Sequence, residues 1–267
     1  MAIRDYRPRK RSRGSLSSAQ SLFMYGVLAI AIALQISFPL ISGETLRIVT
    51  IAIVYWSAGA MALHALLIYG LSYCIRLLSI TLPLAYCFEL VGLKTGWPFG
   101  TYSYDGSLGY QIFGVPLVVP FAWLMMAHPM MIVARRMTTN WVFLYGGLAM
   151  MAWDFALDPQ MVADQRWTWH FTGRSIPFEP EIPLSNAFGW LLCGMALIAV
   201  LHRALPRERR KSTSNTAVNI FLSWTLFSQV VGNIFFFDRL GVALVSGVSL
   251  SLLLIPYFVA ISLGRND

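Results

Sequence analysis

Three carboxylic acids sit where a largely apolar chain has least use for charge. Asp154 and Asp158, in the stretch AWDFALDP, are four residues apart, so on a helix they share one face. Glu89 ends another apolar stretch and opens the segment ELVGLKTGWPFGTYSYDGSLGYQIFGVPL, residues 89–117. An ionisable group at membrane depth is costly and is a functional candidate by default. Burial favours the neutral form of a carboxyl, which can then act as a general acid. Around these acids the chain clusters Trp97, Phe99, Tyr102, Tyr104, Trp167 and Trp169 on turn-forming loops, with Trp123 and Trp190 just beyond them. Aromatic faces stabilise cations. Together these groups suit protonation of an electron-rich carbon–carbon double bond in a lipid-soluble molecule. The tertiary carbocation would be held against the rings and captured by water that an ionised carboxylate orients. A structural reading stands beside this one: Glu89 reaches the headgroups or pairs with Lys94, Asp158 before Pro159 ends a helix, and the aromatics form an interfacial belt.

No other constellation competes. Cys74, Cys87 and Cys193 all lie in apolar stretches without a CxxC pair, and are read as packing residues. His64, His128, His170 and His202 show neither HxxxH nor HExxH spacing, so neither a metal site nor a cofactor is expected.

The elements that must position these groups are membrane helices. At 267 residues, 57% hydrophobic and 12% charged, the chain is an integral membrane protein and not a soluble enzyme. Apolar segments of about 20 residues, the length that crosses a bilayer, fall near residues 21–42, 47–69, 71–92, 114–136, 138–157, 184–203, 216–237 and 240–262. The expected fold is all-α, a polytopic bundle of eight transmembrane helices. Seven is the fallback, because the second and third spans meet almost without a linker at Gly70. Residues 1–19 form a basic head, expected to be disordered and not a cleavable signal, and residues 20–263 a single transmembrane domain. If the N-terminus is cytoplasmic, 15 of the 20 Lys and Arg residues fall inside: the head, Arg76, Arg135, Arg136, Arg203, Arg207, Arg209, Arg210, Lys211 and Arg265. Arg47, Lys94, Arg166, Arg174 and Arg239 fall outside. Both termini are therefore expected in the cytoplasm of a multi-pass cell-membrane protein. The net charge of +8 is expected to face anionic lipid headgroups, with no nucleic-acid partner.

The two loop-bearing hairpins also resemble each other. Each has an outward helix ending in an acid, an aromatic loop, and a Pro-Leu whose proline precedes a Trp by seven residues: Pro116 to Trp123, and Pro183 to Trp190. Glu89 precedes its proline by 27 residues and Asp158 precedes its own by 25. This is the pattern of a parallel repeat about an axis along the membrane normal, with substrate between the hairpins.

The stretches ELVGLKTGWPFGTYSY, LGYQIFGVPLVVPFAW, WDFALDPQMV, RWTWHFTG and PLSNAFGW resemble, in order, the motifs of the carotenoid biosynthesis membrane proteins that include carotenoid 1',2'-hydratases and bisanhydrobacterioruberin hydratases. The resemblance covers roughly residues 85–195. It implies a hydro-lyase that adds water, without a cofactor, across the terminal double bond of an acyclic carotenoid end group to give a tertiary alcohol. The implied partners are the carotenoid drawn from the bilayer, membrane lipids and other carotenoid biosynthesis enzymes. Asp154 or Glu89 is then the proton donor, and the other acts with Asp158 to orient water. Trp97, Tyr102, Tyr104, Trp167 and Trp169 form the pocket wall, and Asn186 contacts the new hydroxyl. Where the family pattern has Tyr or Phe followed by Gly before its second Val-Pro-Leu, this chain has Glu179, Pro180 and Glu181, a departure expected to bear on end-group specificity. Two rivals stay open: a membrane prenyltransferase holding magnesium and a diphosphate on Asp154 and Asp158, and a non-enzymatic carotenoid-binding or transport protein.

Overall fold

Eight long helices form where the sequence is continuously apolar, because a backbone in hydrocarbon must satisfy its hydrogen bonds within the segment. The computed structural model describes residues 15–207 and 213–264. The basic head through residue 14, with Arg209, Arg210, Lys211 and Arg265, lies outside the described residues. The helices are α1 (Ser18–Ser37), α2 (Gly43–His64), α3 (Leu71–Thr95), α4 (Val118–Met137), α5 (Val142–Ala163), α6 (Leu184–Ala204), α7 (Thr216–Phe235) and α8 (Leu240–Ser262). At the start of α1, Ser17 accepts from the Gln20 amide at 3.2 Å and the Gln20 side chain accepts from the Ser17 amide at 3.1 Å, a reciprocal cap.

Seven of these helices are long and apolar enough to cross a membrane. The helix outside that group is α5, whose C-terminal half carries Asp154, Asp158, Pro159 and Gln160. The second and third spans remain separate. A π-helical turn (Ala65–Tyr69) and Gly70, at φ 96°, make the reversal between them. That backbone region suits glycine, which lacks a Cβ.

Helix α4 runs through the middle of the bundle against α2, α3 and α5, and most of its residues are buried. Helices α5 and α6 pack more closely still. A Cβ at Gly147 would lie 2.9 Å from the Met195 amide nitrogen and 3.0 Å from the Leu191 carbonyl oxygen. Small residues allow such backbone approach where helices meet inside a membrane.

The two aromatic loops fold over the end of the bundle as short strands. β1 (Tyr102–Tyr104) pairs antiparallel with β4 (Trp167–Trp169), matching Tyr102 with Trp169 and Tyr104 with Trp167. Each loop then makes its own hairpin: β2 (Gln111–Ile112) with β3 (Val115–Pro116), and β5 (Ser175–Ile176) with β6 (Glu179–Pro183). Pro116 and Pro183, the counterparts in the sequence repeat, close these hairpins. Seven residues on, Trp123 and Trp190 stack with ring centroids 4.1 Å apart and planes 9° from parallel. The repeated elements thus meet face to face.

Candidate active site

Glu89 lies nearly two turns before the C-terminal end of α3 at Thr95, and it is buried. Three donors converge on its carboxyl group. The Tyr102 and Tyr104 hydroxyls each donate to Oε2 at 2.8 Å, and the Trp123 indole donates to Oε1 at 2.9 Å. The tyrosines arrive because β1 folds back over α3. Gly96 and Gly100, with φ of 74° and 91°, build the turn between them. Burial first, then the adjacent Glu89 carboxyl, raises the ionisation of both phenols above the ordinary tyrosine range, so they stay donors.

The second acidic group comes from α5 and α6. Asp154 and Asp158 do share a helix face, and Asn186, in the first turn of α6, joins them. Its amide nitrogen donates to Asp154 Oδ2 at 3.1 Å and also to Asp158 Oδ2. Asp154 Oδ1 is buried without a hydrogen-bond partner among the described residues. The expectation that Asp158 and Pro159 mark a helix end does not hold, since α5 continues to Ala163. The Pro159 carbonyl accepts from Arg239 at 2.6 Å, which anchors this last stretch to the start of α8.

Both groups border one cavity of about 60 Å³. Glu89, Asp158 and Asn186 line it, together with Phe99, Tyr102, Tyr104, Trp123, Trp167, Trp169 and Trp190. Asp154 is buried behind Asp158 and is not part of the lining. Trp97, read from sequence as pocket wall, is 62% exposed and lies off the cavity. Phe99 is held in place by contact with two glycines: a Cβ at Gly92 would come within 2.7 Å of its ring, and one at Gly189 would collide with it. Its carbonyl accepts from Trp169 Nε1 at 3.2 Å and from Ser185 Oγ at 3.4 Å, tying the first loop to the second hairpin.

Sequence reasoning missed Thr50, Ile51 and Val54 of α2, and Leu157 and Met161 of α5, which with Leu108, Val118, Val119 and Ala122 complete the wall. Nothing distinguishes these residues from the lipid-facing or packing residues of any apolar span. Glu179, the residue in the departure before the second Pro-Leu, does not reach the cavity. It lies under the β5–β6 hairpin, 3.5 Å from Arg239. Burial raises its ionisation, and Arg239 opposes that shift.

No group of three or more His, Cys, Asp or Glu side chains suited to a metal occurs among the described residues. Both Glu89 oxygens, and one oxygen each of Asp154 and Asp158, face N–H or O–H donors. Such an arrangement can hold one carboxylate firmly in place, keep a second carboxyl pair close by, and enclose a cation in aromatic faces.

The family of carotenoid biosynthesis proteins matches residues 48–260. The chain belongs to that family. The match takes in α3 to α6, both loops, and every acid and aromatic of the cavity. The chain is also 33% identical over 140 residues to the bisanhydrobacterioruberin hydratase of Haloarcula japonica, a match covering 50% of this chain and 46% of that protein. It thus aligns with less than half the length of that relative. No solved structure matches the chain.

Proposed function

We propose that this membrane protein is a carotenoid hydratase, adding water across the terminal carbon–carbon double bond of an acyclic carotenoid end group. The observation that carries the reading is two carboxyl sites of opposite character in one aromatic cavity. Glu89 is met by three donors, while Asp158 and Asn186 face the cavity with Asp154 behind them. Membership of the carotenoid biosynthesis family and likeness to a named hydratase support it.

Two carboxyls joined through one amide cannot comfortably both be ionised, and sharing a proton relieves the repulsion. Asp158 is the member that borders the cavity, so it takes the acid role. Its proton goes to the less substituted carbon of the double bond, and the π electrons form that C–H bond, leaving a tertiary cation on the neighbouring carbon. The faces of Trp123, Trp190 and Trp169 and the fixed charge of Glu89 stabilise the cation. Among the described residues Glu89 Oε1 accepts from Trp123 alone, so a lone pair remains for one water. That water attacks the cation, forming the C–O bond, and passes its extra proton to the carboxylate. The sum is one water added, and the site resets by exchanging a proton with solvent.

The prenyltransferase reading uses the same two aspartates, but only Asp158 borders the cavity, and Asn186 directs its N–H groups toward one oxygen of each. The excess of Lys and Arg in the loops supports a cell-membrane protein with both termini in the cytoplasm and the cavity at the opposite face. The test is expression in a host that makes acyclic carotenoids, with extracted pigments analysed by mass. A product heavier by one water is expected. Pigments that stay unchanged across acyclic carotenoids of different length would overturn the reading.

A further inference from the structure

The acid-bearing cavity is too small for what it must accept. At about 60 Å³ it is well below the roughly 150 Å³ of an apolar cavity that holds one benzene, less than a branched isoprenoid end group plus the attacking water needs. Its wall is shared, however. Thr50, Val54, Leu157 and Met161 also line a second chamber of about 300 Å³ between α1, α2, α4, α5 and α7. That chamber is mainly apolar, and Ile36, Phe227 and Phe236 on its rim are 50%, 56% and 53% exposed. The rim therefore opens sideways, between α1 and α7, toward the bilayer.

At the loop end the chain is tied together: Arg47 of α2 donates to the Ser107 carbonyl at 3.0 Å, and Arg166 donates to Ser107 Oγ at 3.1 Å, beside the β1–β4 pair. A short polar chain links α7, α1 and α2 beside the second chamber: Trp224 Nε1 donates to Gln35 Oε1 at 2.9 Å, and Gln35 Nε2 donates to Ser57 Oγ at 3.2 Å.

We infer that the second chamber is the lateral entrance and seat for the chain of a long acyclic isoprenoid, whose end passes the Thr50–Leu157 threshold into the acid-bearing cavity. This deepens the hydratase reading and rests on it for the identity of the occupant. The chamber explains how a bilayer-soluble molecule too long for the cavity can present only its last double bond to Asp158. It also makes chain length, and not end-group chemistry alone, a property the protein selects.

The experiment uses full-length protein purified in detergent from a carotenoid-producing host. It compares wild type with Ala156→Phe and Ser228→Trp, which fill the second chamber from opposite walls and lie outside the acid-bearing cavity. Ala156→Ser serves as the size control, and elution as a single sharp species confirms folding. Two readouts are taken: pigment bound per protein, and hydration of a long carotenoid against a monoterpenoid bearing the same end group. Both bulky variants should lose bound pigment and turn over the long substrate about tenfold more slowly or worse, the scale of a steric block in an apolar pocket. The short substrate should react within about twofold of wild type. Equal pigment retention in wild type and both variants, or equal loss of long and short substrate turnover, would overturn the chamber. Pigment bound by wild type and lost in the variants, with no hydration of either substrate, would leave the chamber standing and remove the hydratase reading.

Discussion

Tyr102→Phe and Tyr104→Phe each delete one hydroxyl that donates at 2.8 Å to the same oxygen of Glu89. The rings stay, so the aromatic wall and the β1–β4 register should survive. If Glu89 works as a carboxylate, each lost bond is one to a charged group, worth about 1.5–3 kcal/mol. At about 1.4 kcal/mol per factor of ten, kcat/KM should fall roughly ten- to a hundredfold for each single variant. Tyr102 makes a further, longer contact to the Glu89 carbonyl at 3.3 Å, so its loss should be the larger. The double variant should fall less than the product of the singles, because both hydroxyls serve one oxygen and the Trp123 donor remains. The assay is hydration of an acyclic carotenoid in detergent or vesicles, read by chromatography and mass, with thermal stability followed in parallel. Rates within about twofold of wild type in both singles and the double would refute the argument that donors fix the charge on Glu89.

Three further outcomes follow from the same geometry. Gly189→Ala places a methyl group against the Phe99 ring and should cost about 1–3 kcal/mol of stability, the range for overpacking, with a matching fall in melting temperature and a weakened site. Glu179→Gln, which keeps the size but removes the charge facing Arg239, should leave the choice of carotenoid end group unchanged in a competition between substrates; a switch of preference would place Glu179 in recognition after all. Because burial raises both phenols and the neutral phenol is the working donor, a pH–rate profile should show no loss assignable to tyrosine as pH rises through about 10, provided the protein stays folded.

The fold was largely legible, because crossing hydrocarbon imposes a length and composition that few residues violate. The acids were legible for the complementary reason, that Glu89, Asp154 and Asp158 are conspicuous in apolar sequence. The matched spacing of Pro116 and Trp123 with Pro183 and Trp190 foreshadowed the stacked tryptophans. Three features escaped. The helix continues through Pro159 although that proline cannot donate to the Phe155 carbonyl, and its own carbonyl is tied to Arg239, an interaction 80 residues away in sequence. Trp97 and Trp169 look alike as residue types, yet only strand pairing turns one inward and leaves the other outside. Thr50, Val54, Leu157 and Met161 carry no chemical signature, so the threshold between the two cavities emerges only once α2 and α5 are packed together.

The central claim is that Asp158 delivers a proton to carbon while Glu89 receives water at the same end group. Purified protein given an acyclic carotenoid in deuterated water tests it most directly, with the product returned to ordinary water before mass analysis so that only carbon-bound deuterium remains. Wild type should yield a tertiary alcohol carrying one such deuterium, while Asp158→Asn and Glu89→Gln, both folded, should yield essentially none. Wild-type amounts of deuterated alcohol from Asp158→Asn would contradict the account.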